Sequence, residues 1–120
     1  MSTIQLFSDQ QPEAEFDFPR PERLVEGNPQ RTTWHHFTND SGEVFMGVWA
    51  SEVGAWRIEM GTTEDEYFYV TAGRGSLTDD TGLVREFTVG DAVVIPANYK
   101  GTFRVIEKLI KHYVITERKA

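Results

Sequence analysis

The sequence predicts an all-β domain, a sandwich or a barrel, on three observations. No window holds helical periodicity over eleven residues. From Arg31 onward, short runs rich in β-branched and aromatic residues recur, with turn residues between them. The chain has 120 residues, one domain length, with 39% hydrophobic and 26% charged residues. That is a globular composition, large enough to bury roughly two-thirds of its unfolded surface.

Residues 1–30 read as an extended N-terminal arm and residues 31–120 as the barrel. Pro12, Pro19, Pro21 and Pro29 lie in the arm, and no long regular element fits between Phe16 and Pro29. Ile4, Leu6, Phe7, Phe16, Phe18 and Leu24 give the arm apolar surface to bury, so it is expected to pack on the domain. Strands are then expected at 31–37, 44–50, 55–60, 67–71, 75–78, 85–89, 92–96, 102–106 and 109–116. The turns are NDSG (39–42), EVGA (52–55), DDTG (79–82) and the tight VGD at 89–91. Many short strands at this spacing predict a sandwich or a barrel.

Composition excludes several functions. The net charge is −7, which argues against a nucleic-acid partner. There is no cysteine, so disulfides, thiolate metal sites and a cysteine nucleophile are excluded. No apolar run approaches a bilayer span, so no membrane partner is expected. The first residues lack the basic and apolar regions of a signal peptide, which points to the cytoplasm. Acids dominate residues 1–26 and bases dominate 100–120, the pattern of two solvated surfaces.

Two spaced skeletons stand out. Gly54, Met60, Thr62, Glu66 and Gly73 keep the spacing of the first cupin motif, and Gly90, Pro96, Asn98 and Gly101 that of the second. With RPERLVEGNPQRTTW (20–34), DEYFYVTAGRGSLTDDTG (65–82) and the KHYVI ending, the chain resembles small single-domain cupins related to the cupin domain of (S)-ureidoglycine aminohydrolase. The resemblance implies a double-stranded β-helix, a jelly roll closed enough to hold a cavity. It also implies that Met60, Thr62 and Gly101 stand where metal-bearing cupins have histidines, and Glu66 where they have a carboxylate ligand. Asn98 stands where the family has glycine, as suits a left-handed turn.

The resemblance implies that the motif positions Met60, Glu66 and Gly101 face inward, and alternation along the strands then carries their neighbours inward with them. The expected lining is Trp56, Ile58, Met60, Thr62, Glu66, Phe68 and Phe103, with Val70 and Val105 on the same faces. One carboxylate among these groups cannot hold a transition metal, so no metal and no cofactor are expected. His35 and His36 are adjacent and face opposite sides of a strand. His112 could point inward by parity, although a half-buried structural histidine is the preferred reading. Trp34 and Trp49 read as core. TAGRGS (71–76) has no following helix and is not read as a phosphate loop.

Glu66 is the candidate catalytic residue. It reads either as a structural carboxylate or as one desolvated by an apolar lining, ready to act as a base or to hold a cationic group. Three functions compete. The first is a cavity that binds a small metabolite without metal, through Trp56, Met60, Thr62, Glu66, Phe68 and Phe103. The second is a metal-independent enzyme using Glu66 on a nitrogen-containing metabolite or a sugar. The third is an interaction or assembly module. An inward lysine or tyrosine within reach of Glu66 would favour the enzyme. A homodimer is expected, because small cupins leave sheet edges that need cover.

Overall fold

The computed structural model describes residues 2–119. Among them the only helical pieces are two three-residue 3₁₀ turns, Phe7–Asp9 and Pro21–Arg23. Nine strands follow the chain: β1 (Glu15–Asp17), β2 (Leu24–Glu26), β3 (Arg31–Thr38), β4 (Val44–Ser51), β5 (Gly54–Glu59), β6 (Glu64–Asp79), β7 (Val84–Thr88), β8 (Ala92–Ile95) and β9 (Lys100–Glu117). They form one nine-stranded antiparallel sheet that curls into a jelly-roll half-barrel.

Two long strands organise it. Along one edge β9 pairs with β4 through Leu109–Thr116 and with β5 through Lys100–Val105. Along its other edge it pairs with β6 over almost its full length. The remaining strands run β1-β3-β4 and β5-β2 outward from β9, and β7 and β8 outward from β6. The expected strands at 67–71 and 75–78 are therefore one strand, as are those at 102–106 and 109–116. Turn-like residues hid this continuity. At 73 the chain passes through Gly73 with φ +86°, a left-handed residue inside the strand, and the β6–β9 register shifts around it. A Cβ there would lie 2.7 Å from the Lys108 carbonyl carbon, so the glycine permits close approach of the two backbones. The glycine-rich TAGRGS segment is thus a bulge in a central strand.

The turns fall where punctuation placed them. The Asn39 side chain accepts from the backbone N–H groups of Glu43 and Val44, closing the β3–β4 turn. Asp79 accepts from Thr81 and Leu83 at the β6–β7 turn. Asn98 has φ +70°, the left-handed residue expected between β8 and β9. The arm is hydrogen-bonded into the sheet as well as laid on it. β1 pairs with β3 and β2 with β5, and bidentate contacts between Arg31 and Asp17 pin the first of these. Arg104 and Glu26 pair across the two regions of opposite charge.

The core lies between the two curled limbs. Phe68, Val70, Leu77, Phe87, Phe103, Val105 and Leu109 are buried there, with Phe68 packed edge-on to Phe87 at 5.2 Å. On β9 the buried residues are the odd-numbered Gly101, Phe103, Val105, Leu109, Lys111 and Tyr113, one face of a strand.

Candidate functional site

The open end of the half-barrel holds a cavity of about 370 Å³. Six strands converge on it. Arg31, Thr33 and His35 come from β3, Phe45 and Trp49 from β4, Trp56 and Ile58 from β5, Glu66 from β6, and Phe103, Lys111, Tyr113 and Ile115 from β9, with Ile95 of β8 closing one side. Where a strand contributes more than one residue, they share one parity, that of a single strand face.

At its base Lys111 Nζ donates to Glu66 Oε2 at 2.6 Å, with side chains only 6% and 13% exposed. The ammonium lies 4.2 Å from the ring centroid of Phe68, 4.5 Å from Trp49 and 5.2 Å from Phe103. A desolvated cation over an aromatic face gains about 2 kcal/mol. Beside the pair, the Tyr113 hydroxyl lies 2.9 Å from His35 Nδ1, and His35 Nε2 lies 2.7 Å from Thr38 Oγ1. Burial pushes the Tyr113 phenol up to about 12, with the Glu66 and Glu15 carboxylates adding to the effect. Tyr113 therefore stays protonated across the physiological range. At the mouth the Arg31 guanidinium lies 5.1 Å from the Trp56 ring centroid while paired to Asp17.

Of the sequence-predicted lining, Trp56, Ile58, Glu66 and Phe103 face this cavity. Phe68 is fully buried, with its ring against the Lys111 ammonium, and backs the site from the core. Met60 packs against the core from just beyond the end of β5 and does not line the cavity. Thr62 is exposed, in the turn before β6. Their motif positions implied that both face inward, but β5 ends at Glu59 and both lie beyond it. His112 faces outward and is exposed. Trp49 lines the cavity, and Trp34 sits half-buried on the outer sheet face.

Sequence reasoning missed Lys111 and Tyr113, and with them Arg31, Thr33, His35, Phe45, Ile95 and Ile115 of the lining. The signal was present: the odd parity of Gly101, Phe103 and Val105 continues through Leu109 to Lys111 and Tyr113. Lysine is almost never buried unless it is paired, and the pairing is not visible in the sequence. Glu66, read either as a structural carboxylate or as one desolvated by an apolar lining, is paired with the Lys111 ammonium.

Metal-bearing cupins hold their ion with residues at the positions of Met60, Thr62, Glu66 and Gly101, and the residues here do not fit one. Glu66 is occupied by an ammonium, and Thr62 is turned to solvent. A Cβ at Gly101 would abut the Thr78 carbonyl oxygen and lie 2.9 Å from the Tyr99 hydroxyl, leaving no room for a fourth ligand's side chain. Among the described residues no three His, Asp or Glu side chains gather as a metal-binding group.

On the outer face of the sheet, Phe7 stacks on His36 with centroids 4.1 Å apart and rings 7° from parallel, and lies 5.6 Å from His112. Burial, followed by the neighbouring His112 and His35, lowers the His36 pKa from its ordinary value. This stack anchors the start of the arm.

The curled two-limbed sheet and its inward-facing cavity define a cupin barrel. The family model of the EutQ-like cupin domain matches residues 38–113, and the chain belongs to that family. The structure is similar to the EutQ protein of Clostridium difficile, with a TM-score of 0.66 and 22% identity over 76% of this chain and 65% of that one. It is also similar to a protein of unknown function from Pseudomonas syringae pv. tomato, with a TM-score of 0.76 and 20% identity over 87% of this chain and 44% of that one. A putative ethanolamine utilization protein from Salmonella typhimurium aligns with a TM-score of 0.65 and 12% identity over 92% of this chain and all of that one. The chain spans less than two-thirds of the first two structures, and identities this low speak to the fold. A comparison with curated proteins finds no match. Among the described residues no helix is long and apolar enough to cross a membrane.

Proposed function

We propose that this cupin binds a compact, partly apolar metabolite in the barrel cavity without a metal, as a protein of the cytoplasm. The observation that carries this reading is a 370 Å³ concavity walled by Phe45, Trp49, Trp56 and Phe103 that converges on a few polar groups, Glu66, Lys111 and Tyr113. Small-molecule sites have this composition: apolar walls for affinity and a few fixed polar groups for orientation. The test is a metabolite library screened by thermal shift and ligand-observed NMR. Compounds that stabilise the wild type are expected to lose their effect in Thr33→Trp, which fills the cavity. A library without a hit, together with a high-resolution map showing only water inside the barrel, would refute the reading.

A second reading is a metal-independent acid–base enzyme centred on Glu66, and the specific observation favouring it is the inward lysine at 2.6 Å. The resemblance to the cupin domain of (S)-ureidoglycine aminohydrolase directs a search toward ureides and other nitrogen-containing metabolites, with sugars as the alternative. Turnover abolished by Glu66→Gln, with binding retained, would select this reading over simple binding.

A homodimer accompanies either reading. Tyr67 and Tyr69 of β6 and Val94 of β8 are exposed on one sheet face, with Tyr67 and Val94 opposite each other in register, and among the described strands β8 pairs only with β6. Sedimentation at tens of micromolar is expected to give twice 13.7 kDa.

A further inference from the structure

Glu66 stands at the position that supplies a metal ligand in metal-bearing cupins, and here that carboxylate carries an ammonium. Lys111 Nζ has one carboxylate oxygen at 2.6 Å and three aromatic rings, Phe68, Trp49 and Phe103, with centroids between 4.2 and 5.2 Å away. Those partners come from three strands, β4, β6 and β9, which pair with one another through β9. The lysine is therefore held where three hydrogen-bonded strands meet. Buried charges persist only where paired, and this one is paired by a carboxylate and faced by negative ring quadrupoles at once.

We propose that Lys111 supplies from the chain itself the cation that the fold elsewhere takes from solution, in a cage built by Glu66, Trp49, Phe68 and Phe103. Two consequences follow. The cage is specific for a primary ammonium, which presents a compact charge to one carboxylate and three faces. The ammonium also keeps divalent metal off Glu66. Neither consequence depends on what the cavity binds, so the cage and the ligand reading stand or fall separately.

The chain has no cysteine, so Lys111→Cys offers a single sulfur for alkylation in denaturant before refolding. Treatment with 2-bromoethylamine forms a sulfur–carbon bond with loss of bromide and the thiol proton. It rebuilds lysine with sulfur in place of Cγ. Iodoacetamide places a neutral amide there instead. The aminoethylated protein is expected to melt within about 2 °C of wild type, and the carbamidomethylated one roughly 10 °C lower. In parallel, Lys111→Ala should gain melting temperature with increasing ethylammonium chloride relative to sodium chloride at equal ionic strength, as a vacated site filled by mass action would. Wild type should show no such gain. Manganese(II) or zinc(II) titrated into wild type should show no stoichiometric binding. Equal melting of the two alkylated proteins would overturn the proposal. So would a folded Lys111→Ala indifferent to ethylammonium, or one equivalent of metal bound to wild type and lost in Glu66→Gln. If Lys111→Ala does not fold, the alkylated pair decides alone.

Discussion

Replacing Glu66 and Lys111 by methionine, singly and together, probes the base of the cavity most directly. Methionine fills similar volume without charge. In Glu66→Met the ammonium keeps its three rings but loses its only carboxylate. In Lys111→Met the carboxylate is left among apolar side chains. Removing one partner of a buried pair costs about 3–5 kcal/mol, because the other charge stays buried without compensation. The 2.6 Å contact and the burial of both side chains put this pair in that class. In a domain of this size 1 kcal/mol moves the melting temperature by roughly 4 °C, so each single variant should lose on the order of 12–20 °C. The double variant removes both charges and should lie within about 1 kcal/mol of wild type. The coupling from a double-mutant cycle in urea is thus several kcal/mol. It should persist in 0.5 M salt, because a buried pair is poorly screened, whereas the exposed Arg118–Asp65 pair should lose its smaller coupling. A single-variant loss below about 0.5 kcal/mol, where exposed surface positions fall, or additive losses in the double variant, would refute the argument.

Three further outcomes are expected. In an ultraviolet titration Tyr113 should ionise last, near 12. Its folded pKa lies above the unfolded value near 10, so its stabilising contribution is complete below about 10 and lost as pH rises from there through about 12; a tyrosine complement fully ionised by pH 11 would contradict the burial. Gly73→Ala should destabilise by several kcal/mol, because both the left-handed backbone and the nearby Lys108 carbonyl forbid a Cβ; urea melts within about 0.5 kcal/mol of wild type would show that the bulge is not needed. His36 has a folded pKa below its ordinary value, so its contribution is complete above about 6.5 and falls as pH drops through that range. Contacts between Phe7 and His36 seen by NMR at pH 8 should weaken toward pH 5, and contacts unchanged over that range would disprove the link.

The strand content, the turns and part of the cavity wall were legible in the sequence because they are local properties. Period-two alternation marked Phe103 and Val105 as inward, Asn39 and Asp79 marked turns, and the spacing from Gly54 to Gly101 carried the resemblance to cupins. The same locality explains what was missed. Composition cannot show that Gly73 sits inside a continuous strand, because a left-handed glycine reads as a turn until the partner strand is seen to pass beside it. Nor can it show that Met60 and Thr62 fall beyond the end of β5. Above all, Glu66 and Lys111 are 45 positions apart, and nothing near either announces the other. Read alone, each is an implausible buried charge. Only the pairing of β6 with β9, and of β9 with β4, brings the carboxylate, the ammonium and the Trp49 and Phe68 rings to one point, where each compensates the desolvation of the others.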